Sequence, residues 1–141
     1  MQRFFATLWV VLKGASVQFA ALIPAMVGYH LVGRFVYHSV RTWLPGCAAG
    51  LAIAAALWVW YCRGSGYPIG WALVTLLVRT ALWFFFLIAV FRARFLFDHH
   101  DSVVTSDIFV LLVSVIAVLW LRHVLLRRNK EAARKFHTRK A

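Results

Sequence analysis

Four apolar stretches, each about as long as a bilayer is thick, constrain this chain more than anything else in it. A helix crossing a hydrocarbon core of ~30 Å needs about 20 mostly apolar residues. Runs of that kind occupy 15–36, 44–62, 69–91 and 102–124. No segment alternates apolar and polar residues for long enough to read as a strand. The sequence therefore predicts an all-α, polytopic membrane protein. Four transmembrane helices form a single domain over 1–141, with an N-terminal interfacial segment and a basic cytoplasmic tail over 125–141. Composition agrees: 63% of the chain is apolar and 14% charged, against roughly 45–50% and about 25% in soluble domains. The excess must face lipid.

The first run is interrupted by Lys13. A span over 4–28 would hold that ammonium near mid-membrane at a cost of about 2.5–3.5 kcal/mol. A span over 15–36 brings it to the interface and leaves "MQRFFATLWVVL" as a helix on or entering the membrane surface, the arrangement expected here. Pro24 is expected to kink this span. The second run opens with Pro45, suited to a first helical turn, and carries Gly46, Gly50 and Ala54 at four-residue spacing. Such a ridge lets another helix approach closely. Its other end, Trp58, Trp60 and Tyr61, reads as an interfacial aromatic belt. Cys47 and Cys62 lie ~22 Å apart along that helix, too far to bridge within it, and no zinc spacing surrounds them.

Of 16 Lys and Arg residues, eight follow residue 121, so the net charge of +12 is mostly a property of the tail. Four spans put both termini on one side with Arg3, Lys13 and Arg63, and leave Arg34, Arg41, Arg92 and Arg94 on the other. Positive charge concentrates on the cytoplasmic side of membrane proteins, so both termini are expected there, with a bacterial inner membrane as the assumed setting. Arg122, Arg127, Arg128, Lys130, Arg134 and Lys135 are candidates for contact with anionic head groups. Nucleic acid is disfavoured as a partner, because no aromatic platform accompanies the bases.

Arg79 stands near the middle of the third run. Its distance from the nearer end, ~15 Å, exceeds the reach of a guanidinium, so it needs water or a partner. Asp107 in the fourth run is the candidate acid within the chain, at a vertical gap of about 10 Å; Thr75, Thr80 and Ser114 are alternatives. Intramembrane ionisable residues usually face a bundle interior or a cavity.

On the outer face, His38, His99, His100, Asp98 and Asp101 supply metal-ligand types, although adjacent histidines do not face one another on a helix. No cofactor is expected, and a metal ion there is the one candidate. The chain has no GxSxG, HExxH, P-loop or GxGxxG sequence. The preferred reading is a non-enzymatic membrane subunit that assembles with itself or with a larger transport, secretion or respiratory complex. A holin-like or channel-like pore is the alternative. Behind both stands a metal or lipid-head-group enzyme on the outer face, using His and Asp with Arg92 and Arg94 on phosphate.

Overall fold

The computed structural model describes residues 2–37, 44–98 and 105–137. Among them are four α-helices: α1 (Gln2–Tyr37), α2 (Leu44–Gly64), α3 (Ile69–Asp98) and α4 (Thr105–His137). All four are long and apolar enough to cross a membrane, over Phe4–Val32, Pro45–Gly64, Ile69–Asp98 and Thr105–Phe136. The chain is a small helical integral membrane protein.

The helices outrun the apolar stretches that announce them. α1 is one continuous helix of 36 residues. Residues 2–12 of the expected surface segment belong to the helix that bears the span, and the helix runs through Pro24. α3 extends past Phe91 to Asp98, and α4 carries the expected tail as its own continuation to His137. Apolar run length measures hydrocarbon thickness, whereas a helix ends where its backbone finds other partners. Beyond the apolar part of α3, Arg94 Nε stands 3.6 Å from Asp98 Oδ2 one turn on, a spacing that supports a helix.

Side-chain pairs fix the register. Lys13 Nζ donates to the Gly64 carbonyl at 3.4 Å, where α2 ends, a favourable place for a cation because the last carbonyls of a helix carry partial negative charge. Further along the same pair, the Trp58 indole N–H donates to the Ala20 carbonyl at 2.7 Å. Pro24 explains that bond. It has no N–H to offer the carbonyl four residues back, so Ala20 needs a donor from elsewhere, and in lipid no water supplies one. α2 therefore runs antiparallel to α1. Tyr29 of α1 stacks on Phe91 of α3 at 4.9 Å, while Gln18 Oε1 accepts from the Trp83 indole at 3.1 Å; α1 and α3 run parallel. α4 runs back along α3, tied by Arg128 to Trp71 at one end and by Asp107 to Arg92 at the other. The start of α1 and the end of α4 thus lie at one end of the structure. The turn between α2 and α3 is short because Gly66 takes a left-handed φ of 68°, a conformation glycine adopts without a Cβ penalty.

Laterally, α1 and α3 form the centre, with α2 against α1 and α4 against α3. α2 touches α3 only slightly, and no substantial contact joins α4 to α1 or α2. The helices make an open row rather than a closed bundle. Its core is built from small side chains: Ala20, Ala21, Ala25 and Ala72 are buried, with Leu76 the one large fully buried side chain among the described residues. Close approach of backbones supplies packing where the hydrophobic effect does not drive helices together.

The ridge of α2 is used in part. A Cβ on Gly50 would meet Ile23 and Val27 of α1 at 3.5 Å, and Ala54 is buried. Among the described residues, a Cβ on Gly46 would meet nothing within 4 Å. The close approach at Gly50 is made within the chain, by α1.

Candidate functional site

Asp107 does not pair with Arg79. Its Oδ1 lies 2.7 Å from Arg92 Nη1 in an ion pair that is half-buried. Register is the reason. From Trp71 to Arg92 is 21 positions, as it is from Arg128 back to Asp107, so the two contacts obey one antiparallel alignment. That alignment sets Arg79 level with Trp120, 13 positions or ~20 Å along the helix from Asp107. The shorter gap expected from sequence assumed helices that stop where the apolar runs stop.

Arg79 instead lines two adjoining cavities at the half of the row nearer the termini. One, of about 590 Å³, is lined by Lys13, Gln18, Tyr61 and Arg79 together with Trp9 and Val10 of α1. The other, of about 270 Å³, is lined by Gln18, Arg79, Leu82, Trp83, Arg122 and Leu125. Gln18 and Arg79 belong to both, which makes them the shared floor of a cleft reaching from α2 to α4. The cleft carries three cations, Lys13, Arg79 and Arg122, and neither cavity has an Asp or Glu in its lining. The Nε of Arg79 is buried without a hydrogen-bond partner among the described residues.

The other groups proposed for Arg79 are engaged within their own helices. Thr75 Oγ1 donates to the Trp71 carbonyl at 2.8 Å, and Ser114 Oγ to the Val110 carbonyl at 2.7 Å, the back-bonding typical of hydroxyls inside helices. Thr80 Oγ1, like Arg79 Nε, is buried and has no hydrogen-bond partner among the described residues. Gln18 gives its carbonyl oxygen to Trp83, which leaves its amide NH2 as a donor. Tyr61 adds a hydroxyl to the lining. The site is rich in donors and acid-free, an arrangement that suits an anion.

The tail bases divide. Arg127, Lys130 and Arg134 are exposed on α4. Arg128 turns inward: its guanidinium lies 4.1 Å from the centre of the Trp71 ring and donates to the Trp71 carbonyl at 3.3 Å. Lys135 Nζ is 5.6 Å from the same ring, and Phe136 meets Tyr67 and Trp71 edge to face. Arg128 is thus held against α3, because the indole face attracts its charge, and Arg122, exposed on α4, also lines the cleft.

At the opposite end, Arg92 and Arg94 are both taken up by carboxylates, Asp107 and Asp98. His38, His99, His100 and Asp101 lie outside the described residues. Among the described residues no three of His, Cys, Asp and Glu come together as a metal site would require. Sequence reasoning missed the roles of Gln18, Trp83, Tyr61 and Arg92. A signal was present for one contact only, since Pro24 announces an orphaned carbonyl at Ala20. Compared with known proteins, the chain matches no family model, no curated protein and no solved structure.

Proposed function

We propose that this protein is a small non-enzymatic membrane subunit that assembles within the bilayer, with itself or with a larger transport, secretion or respiratory complex. One observation carries the reading: the row of helices is open, and a cleft bearing Lys13, Arg79 and Arg122 lies unclosed along it. An arginine facing hydrocarbon is costly, so a cleft of this kind calls for cover from outside the chain. The distribution of Lys and Arg supports cytoplasmic termini, with a bacterial inner membrane as the assumed setting. Extraction in mild detergent followed by native mass measurement tests the reading. A defined homo- or hetero-oligomer is expected, lost when Arg79 is changed to Leu although the segment then inserts more readily. A wild-type protein that stays a lone monomer in detergent and in lipid nanodiscs overturns it.

The same cations favour a second reading, a self-assembling pore, because charges within spans also mark ion and water pathways. Expression of the chain alone would then collapse the membrane potential.

A further inference from the structure

We propose that the Lys13–Arg79–Arg122 cleft is a binding site for a phosphate group, that of an anionic phospholipid from the leaflet nearer the chain termini. The inference rests on the reading that the cleft is covered from outside the chain, and it names the chemistry of the cover.

Charge comes first. Three cations line the two cavities without an acid. Of the two carboxylates on α4, Asp107 is held by Arg92, and Glu131, nine positions beyond Arg122, belongs to neither lining. A single carboxylate from a neighbouring helix would leave two cations unmatched. A phosphate group presents several acceptor oxygens, and the planar fork of an arginine matches it in two-point contact. Arg79 Nε has no partner among the described residues, and Gln18 and Tyr61 stand beside it as neutral donors.

Depth and access point to lipid as the source. Trp71 and Arg128 mark the end of the row nearer the termini. Arg122 lies six positions in from Arg128 and Arg79 eight in from Trp71, ~9 and ~12 Å. That is below the head-group layer, within reach of a phosphate drawn slightly inward. The approach is aromatic: Trp9, Trp60 and Tyr61 surround Lys13 in a third cavity of about 210 Å³, and such rings favour the head-group level. Outside it, Val10, Val11 and Phe19 are well exposed, offering apolar surface to acyl chains. Basic pockets between helices on the cytoplasmic side are suited to anionic head groups.

The test is native mass measurement of the full chain, delipidated and then titrated with phosphatidylglycerol, with phosphatidylcholine, or with inorganic phosphate. Saturable binding of phosphatidylglycerol is expected, at least about tenfold weaker in Arg79→Gln, the loss of one charge-assisted hydrogen bond or more. Arg122→Gln should weaken it in the same direction. Arg127→Gln, which removes an equal charge from the exposed face of α4, should leave it unchanged. Inorganic phosphate displacing the lipid at comparable concentration would support the phosphate site and make its source the soluble ion. Equal retention of the two lipids, or an Arg127→Gln loss as large as that of Arg79→Gln, would overturn the proposal. Oligomeric state is read in the same spectra. Lipid loss with assembly intact fails this inference alone, whereas a lone monomer that holds phosphatidylglycerol fails the assembly reading alone.

Discussion

Trp58 is the residue whose role is most sharply defined by a defect elsewhere. Pro24 removes a backbone donor, the Ala20 carbonyl is left without its helical partner, and the Trp58 indole fills the gap at 2.7 Å. Changing Trp58 to Phe keeps an aromatic ring and deletes the donor. We predict a loss of about 1–3 kcal/mol, the cost of leaving a buried polar group unsatisfied, measured as unfolding in detergent. Pro24→Ala restores the N–H, so in that background the Trp58→Phe penalty should largely vanish. Equal penalties in both backgrounds would sink this account. The orphaned carbonyl was legible in the sequence, because proline's missing donor is a local fact. Its partner was not, since nothing local places residue 58 beside residue 20. Arg79 shows the same division: its need for a polar environment follows from depth alone, but its separation from Asp107 depends on a register set by Trp71, Arg128 and Arg92.

At the scale of elements, the two glycines of α2 make a contrast that the four-residue spacing conceals. Gly50 sits 3.5 Å, measured from an added Cβ, from Ile23 and Val27, whereas Gly46 meets none of the described residues. A single methyl at Gly50 falls in ordinary van der Waals range, and a longer side chain does not. We predict that Gly50→Leu destabilises the α1–α2 pair by about 1–3 kcal/mol, the usual range for overpacking, while Gly46→Leu is close to neutral. Cysteine cross-linking between α1 and α2, or thermal unfolding in detergent, distinguishes the two. Matching effects from both would show that the close approach at Gly50 carries no special weight. Four-residue spacing marks which residues share a helix face, but it carries no information on how far along that face the neighbour extends.

Considered whole, the molecule alternates in direction from helix to neighbouring helix in sequence and brings the start of α1 and the end of α4 to one end. The number of spans and this alternation were legible from the apolar runs, because hydrophobic length is a property of the sequence itself. The lateral order was not, since the choice of α1 and α3 as the central pair depends on alanine-rich faces that any neighbour could use. We predict that a reporter fused after Ala141 reports the cytoplasm and that one placed between His100 and Asp101 reports the opposite compartment. Signals from the same side at both positions would refute the four-span path.

The ion pair Arg92–Asp107 and the Trp71–Arg128 contact are separated by ~32 Å of helix, close to the ~30 Å of a typical hydrocarbon core. We predict that this match makes the stability of the α3–α4 pair depend on membrane thickness. In a matched bilayer each polar clasp lies at its own boundary. In a thicker one, at least one clasp is drawn into hydrocarbon unless the lipids thin locally, a mismatch that costs fractions of a kcal/mol per Å. In vesicles graded by acyl-chain length, thermal stability should peak at one thickness. The Asp107→Asn variant, which loosens one clasp, should flatten that optimum, and a protein with such a dependence would be sorted towards membranes that fit it.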